Sequence, residues 1–293
     1  MLRPIATAAL LGCAFSFPLA AQDEPGNSPT IVVDGVRPLE RADVIRKVEN
    51  GYARELRREP VARYHDPVCV QVNGLGFSAN AEVAGFMRAE IRDLGITLAP
   101  PGCRANAVVV VSREPVEQLE RIHQRTPKVL SADTLVEKLA EFERGDHAVV
   151  WHNRDIRGSD GDAIPMSGGI AGWTGPGGVT AAINNNGRPS RVRAGYARAA
   201  NVGVVVYDAN RLDEVELEQL ANNALMRLLA PGFAIEVEPG SPETVLSGVE
   251  EGRGPLRLTR FDQALLEAIY SMRPNERGAS LGRAAGRVYE KSE

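Results

Sequence analysis

The sequence PVCVQVNGLGFSANAEVAGFMRAEIRDLGITLAPPGCRANAVVVV, at residues 67–111, decides the fold class of this chain. Its start predicts a strand over residues 67–72. Its end, the run AVVVV at residues 107–111, is typical of a strand buried on both faces of a sheet. Between the two, apolar residues at helical spacing predict a helix over residues 79–94, which Gly95 ends. A strand, a helix and a strand of these lengths indicate a βαβ unit, right-handed if its strands are parallel.

Outward from this unit, the same patterns divide the rest of the chain into helices and strands. Further strands are predicted over residues 30–33, 148–152 and 202–207, and further helices over residues 40–57, 115–124, 132–142, 215–229 and 280–289. One more helix begins after Thr259, which can form a capping box with Asp262. We therefore predict an α/β fold, a mixed sheet flanked by helices, with residues 22–293 as a single domain. An α+β arrangement is the alternative.

Residues 1–21 have the order of a secretory signal peptide. Arg3 supplies a positive charge, residues 5–19 are apolar and uncharged, and small residues follow before the sequence turns polar. The apolar stretch is shorter than the roughly 20 residues that a transmembrane helix needs, and no later segment is apolar enough to span a membrane. We expect a periplasmic or secreted protein. The alternative is a lipoprotein, because the sequence LLGC at residues 10–13 resembles a bacterial lipobox with Cys13 as the lipidated residue.

Two cysteines remain once the leader is removed, Cys69 and Cys103. In an exported chain, two cysteines are more often paired than free. Both flank the predicted βαβ unit, so neighbouring strand ends can bring them together. A disulfide between them would contribute roughly 3 kcal/mol to the free energy of unfolding. The alternative is a cysteine nucleophile or metal ligand, with His65 four residues before Cys69.

Charge and motifs exclude several classes of function. The net charge of −4 argues against a nucleic-acid-binding protein. The sequence has no H-E-x-x-H zinc motif, no phosphate-binding glycine motif before a helix, and no G-x-S-x-G nucleophile motif. His147 and His152 lie five residues apart on an extended stretch, and we expect them to point to opposite faces. We predict no catalytic residue, no metal site and no cofactor.

A long glycine-rich loop is predicted at residues 158–190. Loops of this length inside a compact domain are uncommon and are usually functional or mobile. A hairpin within it is an alternative, because residues 179–183 are apolar and an Asn-Gly turn pair follows. The expected contact surface for an envelope protein partner, whose identity is unknown, consists of Ile170, Trp173 and Val179.

Several short motifs, taken in order along the chain, resemble a group of uncharacterised exported proteins of Gram-negative bacteria. They include IVVDG at 31–35, VNGL at 72–75, CRAN at 103–106, VWH at 150–152, QLA at 219–221 and FD at 261–262. That group is distantly similar to zincin-like proteins, whose central helix carries metal-binding histidines.

The resemblance implies a zincin-like fold and an export route. The corresponding helix here, residues 215–229, has no His, so the resemblance implies no zinc-dependent hydrolysis. The expected function is that of a non-catalytic interaction protein of the envelope or the secreted fraction. The alternative is a diverged zincin-like or other hydrolase.

Overall fold

Four strands form one mixed sheet in the computed structural model, which describes residues 39–164, 189–212, 214–235, 243–249 and 252–292. The strands are β1 (Val70–Asn73), β2 (Ala107–Ser112), β3 (Ala148–Arg157) and β4 (Ala197–Asp208). Their order across the sheet is β1-β2-β4-β3. Strands β1, β2 and β4 run parallel to one another, and β3, at one edge of the sheet, runs antiparallel to β4.

Helices pack on both faces of the sheet. They are α1 (Arg41–Gly51), α2 (Phe77–Asp93), α3 (Pro115–Arg125), α4 (Ala132–Glu143), α5 (Leu217–Leu229), α6 (Arg260–Ser271) and α7 (Leu281–Lys291). One face is covered by α3 and α4, around the buried side chains of Leu119 and Leu130. The other face is covered by α2 and α5, and α6, α1 and α7 extend this core outward. The predicted α/β class, with a mixed sheet between helices, is confirmed.

The helix predicted over residues 40–57 is shorter in the structure, because its backbone turns extended at Tyr52. Gly51 ends α1 directly against the ring of Phe233, and a β-carbon at Gly51 would lie 2.1 Å from that ring. Tyr52 then pairs with Phe233 in an isolated β-bridge. The early end of α1 is therefore set by a contact with a residue far away in the chain.

Strands β3 and β4 are longer than their apolar runs predict. Residues 153–157 and 197–201 extend the two strands beyond the buried centre of the sheet. These extensions pair with each other, and residues 154–156 of β3 are exposed. An antiparallel pair with one solvated side needs no continuous apolar sequence, so the apolar pattern misses it.

Cys69 and Cys103 form a disulfide with a Cα–Cα distance of 6.1 Å. The bond ties the start of β1 to the loop that precedes β2. Asn106 supports the same junction, because its side chain accepts from the amide of Cys69 at 2.7 Å and donates to the carbonyl oxygen of Pro67 at 3.1 Å. The disulfide is compatible with an exported protein.

Several sequence predictions fall outside the described residues, which all belong to one compact unit, Pro38–Glu293. They are the signal peptide, the lipobox with Cys13, the strand at residues 30–33 and the contact residues Ile170, Trp173 and Val179. Among the helices that the structure does describe, none has the length and apolar character needed to cross a membrane.

Candidate functional site

A cleft of about 640 Å³ lies along the outer side of β3. Thr134, Lys138 and Glu141 of α4 form one wall, and Arg227 of α5 with residues 232–235 forms the other. The two walls come from opposite faces of the sheet, and β3 lies between them as an edge strand. The volume lies within the range of roughly 300–1,000 Å³ that is usual for ligand sites.

The hydrogen-bond pattern of β3 shows which backbone groups face this cleft. The amide of Asp208 donates to the carbonyl oxygen of His147 at 2.9 Å, which makes these two residues a hydrogen-bonded pair of the antiparallel ladder. Such pairs alternate with pairs whose N–H and C=O groups point away from each other. Odd-numbered residues of β3 as far as Asn153 therefore bond to β4. Even-numbered residues in this stretch turn their N–H and C=O groups toward the cleft.

A β-bulge between Asn153 and Arg154 shifts the register of the ladder but keeps this alternation. Arg154 lies opposite Ala200, whose amide donates at 2.8 Å to the carbonyl oxygen of Arg63, on the far side of β4. The backbone of Arg154 therefore also faces outward. We call Ala148, Val150, His152 and Arg154 the edge residues. Within the part of the chain that the structure describes, their outward N–H and C=O groups have no hydrogen-bond partner.

The two histidines of the cleft both contact the end of α5. Nε2 of His152 lies 2.9 Å from the carbonyl oxygen of Leu228, and Nε2 of His147 lies 3.1 Å from Nη2 of Arg227. The prediction that these histidines point to opposite faces is wrong. His147 lies just before the first residue of β3 and His152 lies within it, yet both rings lie beside the C-terminal end of α5.

Burial keeps both imidazoles neutral at pH 7. It lowers the pKa of His152 to about 4, against the opposing effect of the Leu228 carbonyl. Burial and then the positive charge of Arg227 lower the pKa of His147 to about 3. Because Arg227 donates its N–H to His147, Nε2 of that ring is the acceptor and its proton lies on Nδ1. The two rings hold the end of α5 against β3.

Helix α5, which the resemblance compares with a metal-binding helix, carries buried amides that bind backbone. Asn223 donates to the carbonyl oxygen of Val245 at 2.7 Å and accepts from the hydroxyl of Tyr207 at 2.6 Å. Asn222 and Gln219 each donate at 2.8 Å to carbonyl oxygens at residues 253–256. These hydrogen bonds attach the segment between α5 and α6 to the core, while the side-chain oxygens of Gln219 and Asn222 are buried without a hydrogen-bond partner among the described residues.

The described lining of the cleft combines charged side chains that pair with one another, two imidazoles held by α5, and the edge of β3. Its lining, so far as the structure describes it, contains no serine or cysteine, and both imidazoles are held by α5. No three His, Cys, Asp or Glu side chains among the described residues come close enough together to hold a metal ion. The lining also includes the edge of β3 at the floor of the cleft, whose outward backbone groups are unpaired among the described residues.

A larger cleft, of about 870 Å³, lies between α1 and the segment that follows α5. The charged side chains that line this cleft form ion pairs with one another. Lys47 pairs with Glu243 at 2.6 Å, and Arg46 pairs with Asp43. This cleft offers neither a free strand edge nor an unmatched charge among its described lining residues.

Comparison of the chain with protein-family models, with curated proteins and with solved structures found no match.

Proposed function

We propose that this protein is a non-catalytic, exported interaction protein that binds an extended segment of a partner polypeptide along the edge of β3. The observation that carries the proposal is the row of outward N–H and C=O groups on the edge residues, which lies at the floor of a cleft. A segment added to such an edge gains main-chain hydrogen bonds, while the cleft walls contact its side chains. From Ala148 to Arg154 the edge extends about 20 Å, which suits a segment of six or seven residues.

The shape of the cleft favours a thin partner segment over a second copy of this chain. Strand β3 lies between α4 on one side and residues 227–235 on the other. A second β3 would carry the same two walls, and these would collide before the strand edges met. An extended peptide has no flanking helices and can reach the floor.

The binding test uses a phage-displayed library of random 12-residue peptides, selected against the purified protein. We expect enriched peptides whose synthetic versions bind. Hydrogen exchange of the protein backbone then shows where these peptides bind. We expect the amides of Val150 and His152 to exchange rapidly in the free protein and slowly in the complex, and those of Val149 and Trp151 to be protected in both. A library that yields no binding peptide, or peptides that leave Val150 and His152 unprotected, would overturn the proposal.

A proline substitution tests the backbone contact directly. Val150→Pro removes an outward N–H and leaves the ladder with β4 intact, since this N–H does not bond to β4. We expect peptide affinity to fall about tenfold or more, because a main-chain hydrogen bond is lost and the ring blocks close approach. The matched control is Val116→Pro in the first turn of α3, where the N–H has no helical partner and the side chain is exposed.

The control must bind as the wild type does. A folded Val150→Pro variant with unchanged affinity would contradict strand addition. A second copy as the occupant would show itself differently, as a dimer in sedimentation in which the Val150 and His152 amides are protected without any peptide. That result would also refute the proposed partner segment.

Export is tested separately by the intact mass of the protein from the periplasmic and secreted fractions. A mass that matches a chain starting at Gln22 supports it. A lipid-modified Cys13 would instead place the same cleft at a membrane surface, and a retained leader would contradict processing.

A further inference from the structure

Arg154 differs from the other cations that line the cleft beside β3. Lys138 pairs with two carboxylates of α4 at 2.9 and 2.8 Å, and Arg144 lies 3.8 Å from Asp146. Arg227 donates to the side chain of Asn223 at 2.8 Å and to His147. Among the described residues, the guanidinium of Arg154 has no hydrogen bond and no carboxylate within ion-pair distance.

The exposed side chain of Arg154 lies beside Gly232 and near a second arginine, Arg198. Its Nη2 packs against the backbone of Gly232, where a β-carbon would lie 3.2 Å away. Partial burial, and then the charge of nearby Arg198, lower the pKa of Arg154. Arg198 has a carboxylate partner, Glu59, at 3.5 Å, and Glu59 also accepts from the hydroxyl of Tyr196. Arg154 is therefore the cation at this end of the cleft that lacks a carboxylate within ion-pair distance; Asp155, the next residue of β3, follows on the opposite face of the strand and accepts from Asn201 at 3.5 Å.

Strand geometry places a partner side chain beside this charge. On an added strand, the residue opposite Arg154 projects to the same face of the sheet, with β-carbons about 5 Å apart. That face carries Gly232 and the ring of Phe233, so the opposing side chain enters the end of the cleft. The strand continues past Arg154 to Arg157, so a peptide can run on beyond this point.

We infer that the cleft selects extended segments that carry an Asp or Glu side chain opposite or diagonal to Arg154. This inference rests on the proposed strand addition and names the chemistry of the segment. A planar guanidinium binds a carboxylate through two parallel hydrogen bonds, which favours Arg at such a position.

The test is a charge-exchange experiment on a peptide selected from the same 12-residue library. Its acidic residue is replaced in turn by Gln and by Lys, and each version is titrated against the wild type, Arg154→Gln and Arg154→Glu. The control is Arg283→Gln, an exposed arginine on α7 away from the cleft. Thermal unfolding of each variant confirms that it is folded.

We expect the Gln peptide to bind the wild type about two- to fivefold more weakly than the acidic peptide. Arg154→Gln should bind the acidic and Gln peptides alike, and Arg154→Glu should prefer the Lys peptide. Arg283→Gln should keep the wild-type preference, and the acidic preference should weaken as salt is raised.

The two proposals fail in different ways. Peptides that bind, lose affinity on Val150→Pro, and show the same affinities for wild type and Arg154→Gln would overturn the acidic preference and leave strand addition standing. Selected peptides without any Asp or Glu would have the same meaning. If no peptide binds, or if Val150→Pro has no effect, strand addition fails and the acidic preference fails with it.

Discussion

Acid should destabilise this protein partly through His152. The ring lies beside Gly203, where a β-carbon would be 2.8 Å from its Cδ2, and Nε2 lies 2.9 Å from the Leu228 carbonyl oxygen. Burial lowers its pKa from the ordinary 6.5 to about 4. Between these two values the unfolded chain binds more protons than the folded one. The free energy of unfolding therefore falls as the pH drops through 6.5 toward 4.

The size of the effect follows from the two pKa values. At pH 5 the ring is mostly protonated in the unfolded chain and mostly neutral in the folded one. Relative to pH 7.5, this difference removes about 2 kcal/mol from the free energy of unfolding. His65, whose pKa burial lowers to about 4, and His147, at about 3, act in the same direction. The total loss in the free energy of unfolding of the wild type is therefore larger than the contribution of His152 alone.

The substitution His152→Gln isolates that share. Its amide nitrogen can still donate to Leu228, but the side chain does not titrate. Urea unfolding of wild type and variant at pH 7.5 and 5.0 should show that the variant loses about 2 kcal/mol less. With a urea dependence of about 3 kcal/mol/M, this corresponds to about 0.7 M in the midpoint. Equal losses in both proteins, or a His152 resonance that titrates near pH 6.5, would refute the reasoning.

Three further predictions concern stability and are measured by urea unfolding. Replacing Cys69 and Cys103 together by Ser should lower the free energy of unfolding by about 3 kcal/mol, and non-reducing mass spectrometry that finds free thiols would contradict the bond. Gly74→Ala should cost more than about 1 kcal/mol, because Gly74 has a φ of 106° and a β-carbon would lie 1.9 Å from the carbonyl oxygen of Val111. A Gly74→Ala variant as stable as the wild type would refute the close contact between residue 74 and Val111. Asp262→Ala should cost about 3 kcal/mol, because this fully buried carboxylate accepts from two backbone amides and two hydroxyls, and a loss below 1 kcal/mol would contradict its role.

Local sequence determined most of the helices and the buried part of the sheet. The apolar run at residues 107–111 became a strand with parallel neighbours on both sides, as continuous burial requires. Thr259 and Asp262 form the predicted capping box, because the contacts that make it lie within one turn. Hydrophobic spacing and caps are properties of neighbouring residues, so they can be read without knowing what packs against them.

The candidate site could not be predicted in this way. Nothing in the residues at 148–154 shows that β3 lies at an edge, since the order of strands is set by how the helices pack. The polar half of β3 has no apolar run, and the unpaired groups belong to the backbone, which is chemically the same at every such position. The apolar residues chosen from the glycine-rich loop, Ile170, Trp173 and Val179, remain a prediction outside the described residues.

Tertiary structure likewise decided the roles of individual polar side chains. The sequence shows Asn223 on an apolar helix, but only the fold places Tyr207 and Val245 around it. Arg154 is one of many arginines until the sheet puts it at the end of a cleft near Arg198, where no carboxylate among the described residues forms an ion pair with it. The sequence by itself determined which segments form helices and strands. Whether a backbone group or a charge on those segments finds a partner depends on residues that are distant in the sequence. Only the tertiary structure brings those residues together.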